Sequence, residues 1–239
     1  MDRRLARPPL TFLVAVAISG SVTLATTSSI LAADRLPPVP RVSQAPVTGS
    51  ITEFPLPTAG SLLASITPGP DGNLWFAEEA GRIGRITPSG ALTEFSVPTP
   101  NSTPNGITAG PDGNLWFTEY GGNKVARVTR SGTFTEFAIP TAGSNPNGII
   151  AGPDGNLWFV ELAGNRIGRV TSDGHFTEFV VPTAGSGPTW LTAGPDGNIW
   201  FTEYGGNKIG RLTRNGTFTE FAIPTAGSNP NGIIAGPDG

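Results

Sequence analysis

Four glutamates close the same short phrase of this chain: Glu78, Glu119, Glu161 and Glu203 each end a Trp-Phe-x-Glu run. Ala64, Asn105, Asn147 and Thr189 stand 14 residues ahead of them, and the next such position is Asn231. A carboxylate beside an amide or hydroxyl oxygen is a donor set for a hard divalent cation, Mg²⁺ or Ca²⁺. The same residues also have a purely structural reading, in which each Glu caps amides of its own loop and each Asn braces a turn. Every unit carries the Glu, and a single site would not need them all, which favours the structural role.

Glu78, Glu119, Glu161, Glu203, Asn105, Asn147 and Asn231 are thus the metal or ligand candidates. Tyr120 and Tyr204 follow two of the glutamates directly, and Trp190 stands where neighbouring units carry Gly. These three rings are candidates for stacking on a ligand, although Trp190 equally suits a hole left by loop variation. His175 is the sole histidine and follows Ser172-Asp173-Gly174, a tight-turn sequence, so it reads as a solvated turn residue. No catalytic residue is identified. Arg85, Arg127, Arg169 and Arg211 in one strand, with Glu94, Glu136, Glu178 and Glu220 in the next, read as cross-strand ion pairs.

The elements that must position these groups repeat. Trp75, Trp116, Trp158 and Trp200 lie 41, 42 and 42 residues apart, each inside Gly-Pro-Asp-Gly-Asn-(Leu/Ile)-Trp-Phe. In the third unit four runs have strand character: Gly148–Ala151, Asn156–Glu161, Arg166–Thr171 and Phe176–Val181. Four short strands per repeat of roughly 40–45 residues is the pattern of a β-propeller blade, and the chain is read as all-β. The repeated Trp, flanked by apolar residues on a central strand, reads as packing between blades rather than as a sugar platform. The tight Pro-Asp-Gly and Ser-Gly turns fall at one end of each blade. The longer Pro-Thr-Ala-Gly and Glu-Tyr-Gly-Gly-Asn loops fall at the other, the end where propellers carry sites.

Residues 51–239 hold four full blades of about 42 residues, flanked by a fourth-strand-type run at Ile51–Leu56 and a first-strand-type run before Asp238-Gly239. This spacing leaves two readings: a sequence that is a piece of a larger ring, or a short chain that closes by assembling with another copy. Residues 132–155 and 216–239 are identical over 24 positions. Near-identical blades argue mildly against a specialised pocket.

Residues 1–33 run from a basic start (Arg3, Arg4, Arg7) through an apolar stretch to small residues near Ala33, the order of a secretory signal peptide. Ser19, Gly20, Ser21 and Thr23 interrupt that stretch before it reaches the roughly 20 residues of a membrane span. Residues 34–50, with Pro37, Pro38, Pro40 and Pro46, read as an extended linker. The expectation is an exported protein, periplasmic or extracellular, with no membrane span after cleavage. Without residues 1–33 the chain holds 12 basic and 17 acidic residues, a net charge near −5, and nothing resembles a nucleic-acid footprint. There are no cysteines, so the sheet core must hold without disulfides.

The run Gly-Pro-Asp-Gly-Asn-Leu-Trp-Phe-Thr-Glu-Tyr-Gly-Gly-Asn-Lys-Val-Ala-Arg (110–127), followed by Thr-Glu-Phe-Ala-Ile-Pro-Thr (135–141), resembles the streptogramin lyase (virginiamycin B lyase) family. The resemblance extends over residues 51–239. It implies a seven-bladed propeller and a Mg²⁺-dependent lyase that linearises type B streptogramins by eliminating an ester C–O bond without water. It also implies a histidine as general acid or base, at the residue before Gly in Pro-x-Gly. Here those positions are Ala64, Asn105, Asn147, Thr189 and Asn231. Two functions stay open: a propeller without chemistry that presents its loop face to a small-molecule or protein ligand, and a lyase whose histidines lie in blades not in this sequence.

Overall fold

Each repeat folds as four antiparallel strands hydrogen-bonded in chain order. Blade 1 comprises β1 (Leu63–Pro68), β2 (Leu74–Glu78), β3 (Arg82–Ile86) and β4 (Leu92–Ser96). Blade 2 comprises β5 (Pro104–Ala109), β6 (Leu115–Glu119), β7 (Lys124–Val128) and β8 (Phe134–Ala138). Blade 3 comprises β9 (Pro146–Ala151), β10 (Leu157–Glu161), β11 (Arg166–Val170) and β12 (Phe176–Val180). Blade 4 comprises β13 (Pro188–Ala193), β14 (Ile199–Glu203), β15 (Lys208–Leu212) and β16 (Phe218–Ala222). This computed structural model describes residues 50–237. The signal-peptide reading of residues 1–33 and nearly all of the 34–50 linker lie outside the described residues. Among the described residues no helix is long and apolar enough to cross a membrane.

Gly-Pro-Asp-Gly makes the turn from first to second strand because each of its residues has a distinct task. The last Gly takes a positive φ (76° at Gly72, 77° at Gly155), which a side chain would resist. The Asp then accepts hydrogen bonds from the following Asn, from backbone N–H and from side-chain amide alike.

The core lies between blades. In the joint between blades 2 and 3, Trp116, Val125 and Ile139 pack on Leu157, Phe159 and Val170. The joints on either side use the corresponding residues. Trp75, Trp116 and Trp158 are fully buried, so the repeated Trp is core and no ligand platform. Each stacks on the fourth-strand Phe of its own blade, as Trp158 does on Phe179 at 5.6 Å between centroids.

Two local expectations are corrected. Ile51–Leu56 and the run before Asp238 form no strands, because none of the four sheets includes a neighbour with which they pair. Both still sit in the repeat's frame. Phe54 packs on Gly90 as Phe95 packs on Gly132, and Thr202 Oγ1 donates to Asn231 O at 2.6 Å as Thr118 Oγ1 does to Asn147 O. The second correction concerns the arginines. Arg127 lies opposite Thr135, not Glu136, and strand alternation puts that Glu on the other face. Arg127 and Arg169 instead pair with Asp112 and Asp154 of the turns, and the Arg169 guanidinium lies 5.5 Å over the Trp158 ring.

Candidate functional site

The first strands of successive blades lie side by side, so their entry residues converge. Contact there is close enough that a Cβ on Gly106 would stand 2.6 Å from Asn147 O. Thr118 Oγ1 accepts from Gly106 N–H at 3.0 Å and donates to Asn147 O at 2.5 Å, tying blade 2 to blade 3. The register places Pro104 opposite Glu119, Pro146 opposite Glu161 and Pro188 opposite Glu203. Each Pro-x-Gly entry thus shares an end of the blade with the Glu 14 residues beyond its middle residue, as the sequence spacing suggested. Asn105 and Asn147 are half-buried at this rim and Asn231 is exposed. Tyr120 is half-buried, and Tyr204 is exposed in the loop that follows β14. Trp190 is half-buried, with its ring against Gly148 of the neighbouring first strand (3.1 Å from a Cβ built there).

The glutamates themselves are turned away from solvent. Glu78, Glu119, Glu161 and Glu203 are completely buried beneath the connections between blades. The Glu119 carboxylate lies against Gly122 and Thr99, on the side of the outer strands. Both oxygens of Glu119, Glu161 and Glu203 lack hydrogen-bond partners, whereas Glu78 accepts from Ser61 Oγ at 2.5 Å. Burial, with the nearby carboxylate of Glu136, Glu178 or Glu220, pushes these three acids up to about 7, 8 and 7 respectively.

Those second carboxylates, expected from the sequence to pair with the third-strand arginines, instead form the working part of a clamp. Glu136 accepts from the backbone N–H and hydroxyl of Thr99 in the connection from blade 1, and from Lys124 Nζ at 2.7 Å. Glu178 holds Thr141, and Glu220 holds Thr183 together with Lys208, in the same way. Although burial opposes it, these donors keep Glu136 and Glu220 below the ordinary carboxylate value. The sequence signal was the spacing between the Thr of Pro-Thr and the later Glu, 37 residues in blades 2 to 4 and 36 in blade 1.

An asparagine completes each joint. Asn165 takes φ 52°, donates to Val181 O and Thr183 O at 3.1 and 3.0 Å, and accepts from Ser186 N–H at 2.8 Å. Asn123 and Asn207 repeat this. Blade 1 has a shorter loop with Gly81 in that place, and there Ser102 Oγ is buried without a partner.

The donor set was tested for a divalent cation. Among the described residues no three His, Asp or Glu side chains come together in a way that would hold a metal ion. The glutamates stand one per blade, and the second carboxylates of blades 2 and 4 are already neutralised by Lys124 and Lys208. These residues do not fit a Mg²⁺ site. His175 begins no loop on this face. Register places it beyond Val170 and Leu157, at the end opposite Glu161, where it is exposed and its Nδ1 lies 3.1 Å from Asp173.

Comparison with known proteins gives the lineage. Residues 38–239 match the Virginiamycin B lyase family. Virginiamycin B lyase from Staphylococcus aureus is 47% identical, with a TM-score of 0.78 over 80% of this chain and 66% of that one. A catalytically inactive form of that enzyme with quinupristin matches with the same values. A streptogramin B lyase is 40% identical, with a TM-score of 0.77 over 80% of this chain and 64% of that one. The chain thus spans just under two thirds of the length of these structures. Comparison with curated protein sequences finds no match. Four blades of one repeat, its Trp-Phe-x-Glu phrase and these likenesses agree: the chain belongs to the Virginiamycin B lyase family.

Proposed function

We propose that this propeller is an exported binding protein for a streptogramin-like macrocycle, received on the face where the first strands begin. In this reading its own residues carry no proton-transfer chemistry. The likeness to a relative whose structure carries quinupristin supports the ligand class. The half-buried Trp190 and the exposed Tyr204 on that face suit its apolar and aromatic parts. The observation that carries the non-catalytic part is the rim itself. Its entry positions are Ala64, Asn105, Asn147, Thr189 and Asn231, none of which titrates near neutral pH, and the lone His175 lies at the opposite end. The acids whose pKa values approach neutrality are sealed from any substrate by their burial.

One observation favours a second reading, an active Mg²⁺-dependent lyase: the 47% identity to virginiamycin B lyase. Under it the histidines belong to blades outside the sequence given. Incubation with quinupristin, with and without Mg²⁺, followed by mass spectrometry and tryptophan fluorescence, separates the two. The binding reading expects saturable quenching and an intact macrocycle. A linearised product formed in a Mg²⁺-dependent way overturns it in favour of the lyase, and absence of saturation removes the ligand class. Export is tested by amino-terminal sequencing of protein recovered outside the cytoplasm, which should begin near residue 34.

A further inference from the structure

Among the described residues seven positions other than glycine take a positive φ, and six of them are Asn. The seventh is Thr103, at 47°. Asn tolerates the left-handed region because its short polar side chain can hydrogen-bond locally, whereas a β-branched residue there crowds its own backbone. Thr103 also precedes Pro104, and a residue before proline is pressed toward extended conformations.

The repeat supplies its own controls. The same place, directly before the Pro of Pro-x-Gly, holds Asn145 at 51°, Gly187 at 57° and Asn229 at 46°. Two residues earlier the chain is again left-handed, with Gly143, Gly185 and Gly227 in those entries and Asn101 in blade 2. The entry to blade 2 therefore takes the common shape with less suitable residues. Thr103 is half-buried on the face where the first strands begin, and its hydroxyl makes one long bond, to Asn101 O at 3.4 Å. Its carbonyl accepts from Tyr120 N–H at 3.1 Å, which ties that tyrosine's backbone to the same spot. Strain of this kind persists only where the surroundings impose it, and it gathers at ligand-binding positions.

We propose that Thr103 is a specificity-determining residue of the binding face, its hydroxyl donating to a carbonyl oxygen of the bound macrocycle next to Tyr120. The proposal rests on the reading of that face as a site for a streptogramin-like ligand. A ligand carbonyl offers the hydroxyl a closer acceptor than Asn101 O does. No other entry can reproduce the contact: Gly187 has no donor there, and the amides of Asn145 and Asn229 reach one bond further.

The test is fluorescence titration with quinupristin and urea unfolding, on the 239-residue chain and two variants. Thr103→Asn installs the residue that blade 3 carries at nearly the same φ. Its urea midpoint should rise while its affinity falls about fivefold, the loss expected of one neutral hydrogen bond. Thr103→Ser keeps the hydroxyl and should bind within about twofold of the unaltered chain. A merely structural Thr103 would not move stability and affinity in opposite directions. Undiminished affinity in Thr103→Asn, a fall in its urea midpoint, or equal weakening by Thr103→Ser overturns the proposal and leaves the binding reading standing. Absence of saturation by the unaltered chain removes the ligand class and this proposal with it.

Discussion

The indole Nε1–H of Trp158 donates to Asp154 Oδ1 at 2.9 Å, four residues earlier across the turn. The other three blades repeat the bond at 3.0–3.1 Å. This explains why Pro-Asp-Gly-Asn and Trp travel together. A fully buried indole needs an acceptor, and the turn's Asp supplies one while also holding the Asn that shapes the turn.

The space around that bond is full. A Cβ on Gly152 would overlap the Trp158 indole, so Gly152→Ala should destabilise the fold by about 1–3 kcal/mol through overpacking. Asp154→Ala should cost a similar ~1–3 kcal/mol by orphaning a buried donor. Asp173→Ala, in the exposed turn before β12, serves as the control and should leave the unfolding midpoint unchanged. Urea unfolding of the three variants checks this, and equal stability of all three would contradict the account.

The buried acids make stability depend on pH in a definite direction. Glu119, Glu161 and Glu203 hold their protons to about 7, 8 and 7, against an ordinary value of 4.5. The folded chain therefore binds more protons than the unfolded one across that window, and stability falls as pH rises through it. Glu136, Glu220, Asp112 and Asp154, held below their ordinary values, work oppositely, so that stability is also lost on acidification. Tm should peak near pH ~5. Glu161→Gln should raise stability at pH ~8 by on the order of 1–3 kcal/mol and flatten the alkaline limb. Thermal scans across pH decide this, and an unchanged limb in the variant would refute it.

Gly81 marks a place where the repeat can be repaired. Its φ of 81° suits Asn about as well as any residue with a side chain, and Ser102 Oγ is the only atom near a built Cβ, at 3.7 Å. Gly81→Asn should restore the missing partner and stabilise by ~0.5–1 kcal/mol. Asn165→Ala, removing an intact copy of the joint, should cost about 2 kcal/mol or more. Chemical denaturation reads both, and a destabilised Gly81→Asn would show that the shorter loop rejects the joint.

For ligand recognition, Trp190→Ala should weaken quinupristin binding by about tenfold, in line with the ~1–1.5 kcal/mol expected of one aromatic stack. Tyr204→Ala should act in the same direction more weakly, since its ring is the more exposed. Fluorescence titration of the variants checks it. Undiminished affinity in Trp190→Ala would take the binding face away from the first strands.

Blade boundaries were legible because period and turn chemistry agree. The four runs read in the third unit coincide with β9–β12 to within two residues at each end. The end of the blade shared by Asn105 and Glu119 was also legible, since antiparallel pairing of adjacent strands brings the start of one beside the finish of the next. Two things were not. The direction of the Glu119 side chain depends on the connection that closes over it from blade 1. The partner of Glu136 is Thr99, 37 residues earlier in another blade. Strand alternation could have excluded the Arg127–Glu136 pairing, since adjacent strands place Thr135 opposite Arg127.

By itself, then, the order of amino acids determined the local grammar: four short strands, Gly where φ turns positive, Asp where an indole needs an acceptor. Those are near-neighbour constraints, satisfied within a single blade. Tertiary structure alone decided the fate of the carboxylates, because the connection from the preceding repeat closes over each of them and removes it from water. Their enclosure turns four residues that look like metal ligands into framework acids that hold a proton more tightly than an exposed carboxyl does.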